Sequence, residues 1–333
     1  MTQRWGITVP LQGMSMPEHR EPLQEAEANG YTDVWSAEVD ANDAFTPLAA
    51  VATWTQQRLG TAIANIYTRT PTLLAQTASA MEDLAPGRFV LGLGTSSPAI
   101  VERWNGVPLE RPLERMRETI AFLQQALTGE KMVVKNRWYD VRGFRLGHAP
   151  AKLPTILVGA LREKMLQLGG GMADGVITNY IAPEDARKVA AVAKSAAKQA
   201  GKDPDGVEVA CRIFVIATDD PQAAQMIGRF IVSGYLTTPF YYAFHEWLGR
   251  GEALAPMMKA WQAGDRQTAL GLVPGDVVDD IFVFGKPQQC REKIQAYVDN
   301  GITTPVINII PTARDPQGQR EQSLQWLKDL APR

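Results

Sequence analysis

The chain alternates along its whole length between short apolar runs and longer stretches with helical spacing. Several of the runs lack polar alternation, which is typical of parallel strands covered on both faces. The predicted strands are residues 6–10, 33–39, 59–67, 89–93, 155–159, 175–178, 207–217 and 305–310. Predicted helices between them include residues 71–84, 113–127, 163–172, 183–200 and 288–298. About eight strand-helix units favour an α/β fold closed into a (β/α)8 TIM barrel.

The joints between helix and strand also repeat. Asn29-Gly30, Asp174-Gly175 and Asn300-Gly301 each end a helical stretch and precede a strand. Glycine directly after a helix adopts a left-handed backbone conformation that other residues resist. An open doubly wound sheet would alternate in the same way, but no Gly-x-Gly-x-x-Gly follows the first strand. The strand count therefore favours closure.

Two insertions interrupt the alternation. Residues 131–147 alternate polar and apolar side chains and predict a hairpin after strand four. Residues 233–276 are helical and rich in aromatic side chains, and they follow strand seven at the barrel face where active sites lie. Because no Ser/Gly-rich linker is present, we expect residues 1–333 to form a single domain.

Composition excludes several classes of function. The 333 residues carry 34 Lys and Arg against 36 Asp and Glu, so the chain lacks the excess of positive charge that attracts nucleic acid. Cys211 and Cys290 are far apart and only three histidines occur, which argues against a disulfide framework and a metal centre. With no apolar run long enough for a bilayer and no signal-peptide core, we expect a cytoplasmic protein without membrane contact.

Three carboxylates, Glu38, Asp40 and Asp43, follow the second predicted strand. A carboxylate half-buried in a barrel mouth can serve as a general acid or base, and Glu38 is the candidate for this role. The alternative is that Asp40 and Asp43 cap the next helix, and for Asp43 this interpretation is favoured.

Other strand ends carry weaker signals. Gly92 and Gly94 allow close approach of the backbone to a ligand, whereas Ser97 breaks any dinucleotide fingerprint. Residues 159–162 end a buried strand just before a helix, where free N–H groups can bind an anion, although an ordinary turn is as good an interpretation. Arg212, inside a strand, either pairs with a carboxylate or faces a ligand. For His245 a solvated helix face is favoured over catalysis.

Several stretches match one family in order and spacing. They are residues 26–35 (AEANGYTDVW), 59–63 (LGTAI), 67–71 (YTRTP), 84–94 (LAPGRFVLGLG), 158–161 (VGAL), 173–176 (ADGV) and 300–306 (NGITTPV). With these stretches the chain resembles the luciferase-like monooxygenase superfamily and, within it, the coenzyme F420-dependent oxidoreductases. The resemblance covers nearly the whole chain and implies a barrel that holds a flavin-like ring at its C-terminal mouth.

The resemblance also implies a set of cofactor-binding residues. It places a non-prolyl cis peptide, Ala62–Ile63, in a bulge behind the ring. The implied residues are Ala62, Ile63, Ala64 and Asn65 at the bulge, Gly94, Thr95 and Ser96 at the ring edge, Gly159, Ala160, Leu161 and Arg162 at a phosphate, and Thr178 and Asn179 beside it. Some relatives carry an Asp-His pair and an acid where this chain has Ala37, Glu38 and Thr95, and Arg162 stands where glycine is expected.

The resulting hypothesis is hydride transfer between F420 and a small organic substrate bound under the aromatic insertion. Glu38 is the candidate proton donor or acceptor, and the protein supplies orientation and exclusion of water. A largely apolar pocket is expected from Met14, Met16, Trp35, Tyr67, Tyr241 and Trp247, although a core role fits each equally well. One alternative is an FMN-dependent monooxygenase served by a partner flavin reductase. A second is a non-catalytic flavin-type cofactor-binding protein. The insertion's apolar helical face also suits a homodimer contact.

Overall fold

A computed structural model describes residues 3–332 and confirms the predicted barrel. The strands, in chain order, are β1 (Gly6–Val9), β2 (Asp33–Ser36), β3 (Arg58–Thr61), β4 (Ala64–Asn65), β5 (Phe89–Gly94), β6 (Met132–Lys135), β7 (Asp140–Phe144), β8 (Thr155–Gly159), β9 (Gly175–Asn179), β10 (Glu208–Ile216), β11 (Phe282–Val283) and β12 (Thr304–Ile310). The barrel runs in the order β1-β2-β3-β5-β8-β9-β10-β12, with every neighbouring pair parallel and β12 paired to β1.

Helices surround this cylinder. In chain order they are α1 (Arg20–Ala28), α2 (Thr46–Ala52), α3 (Pro71–Leu84), α4 (Pro112–Ala126), α5 (Glu163–Met172), α6 (Asp185–Gln199), α7 (Pro221–Tyr235), α8 (Pro239–Trp247), α9 (Gly251–Gln262), α10 (Arg266–Gly271), α11 (Gly275–Ile281), α12 (Pro287–Asp299) and α13 (Pro316–Asp329). Short 3-10 turns lie at Met16–His19 and Pro204–Gly206, and a π-helix spans Ala99–Trp104. No helix within residues 3–332 is both long and apolar enough to cross a membrane.

The connections after the fourth and seventh barrel strands carry the extra elements. The antiparallel hairpin β6-β7 lies between α4 and β8, and α8, α9 and α10 lie between β10 and β12. These elements fall within the two segments predicted as insertions. That residues 1–333 form one domain stays a prediction.

The helix-to-strand joints are of two kinds rather than one. Gly30 and Gly301 have φ angles of 96° and 106°, as predicted for the residue after a helix. Gly175 lacks a positive φ and begins β9 instead. A Cβ at Gly175 would lie 1.9 Å from the Glu208 carbonyl oxygen, so close approach of β10 requires glycine there.

Side chains fill the interior of the barrel below the carboxyl ends of its strands, so a cavity can open only at those carboxyl ends. Its inner layer consists of Trp35, Ala62, Val90, Leu157, Ile177, Ala210 and Val306. A Cβ at Gly60 would lie 2.4 Å from the Trp35 ring, so glycine makes room for the indole. At the amino ends of the strands, Arg58 pairs with Asp33 and Glu208. The carboxyl ends of the strands are therefore the open end.

Candidate active site

A cavity of about 1030 Å³ opens at the carboxyl ends of the barrel strands. Its lining includes residues that follow β2, β3, β5, β8 and β9, together with side chains of β10, β12 and α8. This is the barrel face at which substrates bind in enzymes of this architecture. The volume slightly exceeds the range of about 300–1,000 Å³ that single small-molecule pockets usually have.

One wall of the cavity is built around a bulge in the third barrel strand. The Ala62–Ile63 peptide bond is cis, as the resemblance predicts. A Cβ at Gly94 would lie 2.2 Å from Ile63 Cγ1, and one at Gly159 would lie 3.1 Å from Ile63 Cγ2. Both glycines thus leave space for Ile63, and the three residues form a surface of backbone and aliphatic atoms, here called the bulge wall.

The bulge continues behind this wall. Ala64 and Asn65 are buried and do not line the cavity, although the resemblance counts them among the cofactor-binding residues. The reason is that they form β4, which pairs with β5, and both residues are buried there. Asn65 Oδ1 accepts a hydrogen bond from the Tyr67 amide at 2.8 Å, which stabilises the turn that follows β4.

Glu38 lies at the edge of the bulge wall and lines the cavity. Its carboxylate accepts hydrogen bonds from Arg69 Nε at 2.9 Å, Arg69 Nη2 at 2.5 Å and the Asn65 amide at 3.0 Å. Glu38 therefore ties the end of β2 to the bulge while remaining partly exposed to the cavity. Asp43 instead accepts from the amides of Phe45 and Thr46 at the start of α2, which agrees with the favoured capping interpretation although Phe45 occupies the N-cap position.

The start of α5 forms the next part of the rim. Gly159, Ala160, Leu161 and Arg162 all line the cavity. Arg162 occupies the N-cap position with an extended backbone, and no side chain caps the helix. The first N–H groups of a helix lack intrahelical partners and attract anions. This end of α5 is therefore suited to an anionic group.

The remaining predicted rim residues also line the cavity. They are Thr95, Ser96, Thr178 and Asn179. Ser96 and Tyr180, which both line the cavity, have φ angles of 58° and 52°, in the left-handed region that non-glycine residues seldom adopt. Such backbone conformations persist where the surrounding structure holds them and are common at binding sites.

The opposite wall is aromatic and is formed by Tyr180, Phe214, Tyr235 and Tyr241, here called the aromatic wall. The rings of Tyr180 and Phe214 stack with centroids 4.3 Å apart, and Tyr241 meets Tyr180 edge-on at 5.6 Å. The Tyr241 hydroxyl donates to Asn179 Oδ1 at 3.0 Å. Burial raises the pKa of Tyr241 to about 12, so this hydroxyl is neutral at physiological pH.

Arg212 lies on β10 beside the aromatic wall and lines the cavity. Its Nη2 donates to Asn308 Oδ1 at 3.1 Å, and its guanidinium carbon lies 5.4 Å from the centre of the Phe214 ring. Among residues 3–332 no carboxylate pairs with Arg212. Of the two sequence interpretations, pairing with a carboxylate is wrong, and the guanidinium faces the cavity.

Sequence reasoning placed some side chains incorrectly. Of the six proposed pocket residues, Tyr241 and Trp247 line the cavity, whereas Met14, Met16, Trp35 and Tyr67 do not. His245 is fully buried rather than solvated, and burial with the nearby Arg250 lowers its pKa to about 3. Lining residues that the sequence analysis missed include Ile100, Arg103, Trp104, Lys164, Tyr180, Phe214 and Asn308. Tyr180 directly follows β9, so its position after a strand was an available signal.

Comparison with known proteins agrees with this geometry. A 5,10-methylenetetrahydromethanopterin reductase from Methanolobus tindarius is 30% identical over 84% of this chain and 86% of its own. The structure of a coenzyme F420-dependent tetrahydromethanopterin reductase from Methanopyrus kandleri is similar with a TM-score of 0.73 and 24% identity, over 98% of both chains.

A third similar protein binds a different cofactor. The oxygenating constituent of 3,6-diketocamphane monooxygenase from Pseudomonas putida, in complex with FMN, has a TM-score of 0.68 and 19% identity over 99% of this chain and 97% of its own. The sequence model of one family, described as luciferase-like monooxygenase, matches residues 2–304. The chain belongs to the luciferase-like monooxygenase family.

Proposed function

We propose that this protein is an oxidoreductase that transfers a hydride between F420 and a small organic substrate. The observation that carries the proposal is a single cavity with two unlike walls. The bulge wall and the start of α5 suit a flat ring and its phosphate, while the aromatic wall suits the body of a second molecule. Two ligands side by side are what a hydride transfer requires.

The residues present fit such a cofactor. A Cβ at Gly94 would fill the space that Ile63 occupies, so the glycines maintain a surface against which a planar ring can lie. The uncapped start of α5 and the side chain of Arg162 offer donors for a phosphate. The cavity is large enough for a ring and a small substrate together.

The roles of the chain's own residues follow from their positions. We propose Ala62, Ile63, Gly94, Thr95 and Ser96 for the ring, and Gly159, Ala160, Leu161, Arg162, Thr178 and Asn179 for the phosphate end. Ala64 and Asn65 support the bulge from behind. When bound, the deazaflavin supplies two-electron hydride chemistry at its C5 atom. Glu38 holds or moves a proton at its carboxylate, and the aromatic wall excludes water.

F420 is favoured over FMN by the charge on the rim. The cations that line the cavity are Arg103, Arg162, Lys164 and Arg212, against the carboxylates Glu38, Asp40 and Glu163. FMN presents one phosphate, whereas F420 adds carboxylates beyond its phosphate and can use several cations. The similar structure from Methanopyrus, an F420-dependent reductase, supports the same choice. FMN remains the second candidate because of the Pseudomonas neighbour, and it would bring a flavin reductase as partner. We also propose a homodimer.

Fluorescence titration with F420 and with FMN tests the proposal directly. We expect F420 to bind at least tenfold more tightly than FMN. Arg162→Ala should weaken F420 about tenfold, because hydrogen bonds to charged groups contribute roughly 1.5–3 kcal/mol. Arg187→Ala, an exposed arginine outside the cavity, is the matched control and should bind like the wild type. Tighter binding of FMN would contradict the F420 assignment, and a substrate screen with the preferred cofactor follows.

A further inference from the structure

Arg212 is a half-buried charge without a counterion among the described residues. Its Nη2 donates a hydrogen bond to the neutral side-chain amide of Asn308, and its Nε has no hydrogen-bond partner among the described residues. The ionisable groups that face it are Tyr180, Tyr235, Tyr241 and Cys211. Tyrosine and cysteine are neutral near pH 7, and burial raises the pKa of Tyr180, Tyr241 and Cys211 further. Nothing in the described wall therefore neutralises the guanidinium.

Such an arrangement is costly unless a ligand completes it. Removing an ion from water costs several kcal/mol, and buried arginines are normally paired with an anion. Burial lowers the pKa of Arg212, but an arginine retains its proton at neutral pH. The part of the side chain that remains accessible faces the cavity, where a bound group can reach it.

The position of Arg212 separates it from the proposed ring. In the closed order of the barrel, β10 lies four strands from β3 in either direction. Arg212 therefore lies across the cavity from Ile63, next to Asn179 on the neighbouring strand and to the ring of Phe214. A second molecule placed between the bulge wall and the aromatic wall would contact both this charge and the aromatic rings.

We propose that Arg212 binds an oxyanion of the substrate, a carboxylate or a phosphate, while the aromatic wall binds the substrate's apolar body. This inference rests on the proposed function, because it takes the bulge wall as the cofactor side. It narrows the substrate class from apolar molecules to molecules with an apolar part and one anionic end. Arginine suits that end since its planar fork of donors matches carboxylate and phosphate geometry.

The test uses three probes that share one ring: phenylacetate, phenylacetamide and phenyl phosphate. Each is titrated by calorimetry into the F420-loaded protein and into the protein without cofactor. We expect phenylacetate or phenyl phosphate to bind at least tenfold more tightly than phenylacetamide, and the tighter of the two anions identifies the oxyanion. Arg212→Met should abolish the preference, and Arg212→Lys should retain part of it. The F420 Kd of both variants should stay within about twofold, which also verifies their folding.

Several results overturn the inference. These are equal binding of phenylacetamide and both anions, no binding of either anion to the wild type, and an unchanged preference in Arg212→Met. A loss of F420 affinity in folded Arg212→Met and Arg212→Lys, with the anion preference intact, would assign the guanidinium to the cofactor instead. Failure of the proposed function is distinguishable, because F420 then fails to bind the wild type while the cofactor-free protein still reports whether Arg212 selects anions.

Discussion

The two walls of the cavity are built from different material. The bulge wall presents backbone, two glycines and one aliphatic side chain, all on β3, β5 and β8 or the turns after them. The aromatic wall presents tyrosine and phenylalanine rings from β10, the end of β9, α7 and α8, with Arg212 beside them. A surface made of backbone depends on the absence of side-chain atoms, whereas a surface made of side chains depends on which ones are present.

This difference agrees with the roles that we propose, in which the bulge wall binds the cofactor and the aromatic wall binds the substrate. The bulge wall has little freedom to change, because an added Cβ at Gly94 collides with Ile63 and one at Gly159 contacts Ile63 tightly. That property suits a cofactor whose shape is constant. The aromatic wall can be altered one side chain at a time without touching the barrel strands on the other side. That property suits a substrate site, and substitutions in the two walls should have separable effects.

The largest effect is expected for Gly94→Ala. Its Cβ would lie 2.2 Å from Ile63 Cγ1, so Ile63 must move into the space proposed for the ring. Overpacking of this kind also costs about 1–3 kcal/mol of stability. We expect the F420 Kd to rise at least 100-fold in a fluorescence titration. Gly234→Ala is the matched control, since it lines the same cavity at the end of α7 with no atom within 4 Å of the added Cβ. Equal loss in both variants would remove the distinction between the walls.

A smaller effect is expected for Glu38→Gln. The amide oxygen can still accept from Arg69, whereas the NH2 group takes the place of the oxygen that accepts from the Asn65 amide and cannot carry the transferred proton. We expect kcat to fall about 100-fold, within the range that general acid-base groups contribute, with the F420 Kd within about twofold. Asp43→Asn is the control, because Asp43 contacts the same Arg69 at 3.4 Å without lining the cavity. A change in F420 Kd with kcat intact would make Glu38 a positioning residue of the bulge.

The bulge wall was more predictable from the sequence than the aromatic wall. Glycine, proline and β-branched residues mark local backbone states, so the strand at 155–159 and the helices at 71–84 and 163–172 have the predicted bounds. The split of predicted strand 59–67 into β3 and β4 was missed as a bounded element, because an apolar run does not show where pairing breaks. The positions of Phe214 and Asn308 depend on strand register, and the burial of His245 depends on how α8 packs. Neither is encoded in local spacing.

His245 is buried on α8, the helix that carries Tyr241 of the aromatic wall. Its burial predicts that the protein loses stability in acid. Its pKa is lowered to about 3 by burial and by Arg250, against about 6.5 in the unfolded chain. The unfolded state therefore binds the proton first, and stability is lost as pH falls below 6.5. Between pH 7 and pH 5 this costs about 2 kcal/mol.

Urea unfolding at both pH values measures this loss. Between these two pH values the free energy of unfolding of His245→Leu should fall by about 2 kcal/mol less than that of the wild type, because leucine takes up no proton. His148→Gln, an exposed histidine beside Asp83, is the control. An identical pH dependence in the wild type and His245→Leu would contradict the prediction.

The smallest effect is expected for Tyr241→Phe. The variant keeps the ring of the aromatic wall and loses the hydrogen bond to Asn179, which is 3.0 Å long. One such bond contributes about 1 kcal/mol to holding Tyr241 in the aromatic wall, so KM for the substrate should rise by up to about fivefold, more than any rise in the F420 Kd. Tyr242→Phe, on the same helix, is the control because its hydroxyl has no hydrogen bond within residues 3–332. Asn179 is proposed for the phosphate end of the cofactor. A rise in F420 Kd larger than the rise in KM would therefore show that Tyr241 acts on the cofactor through Asn179. In that case the two walls are coupled at β9.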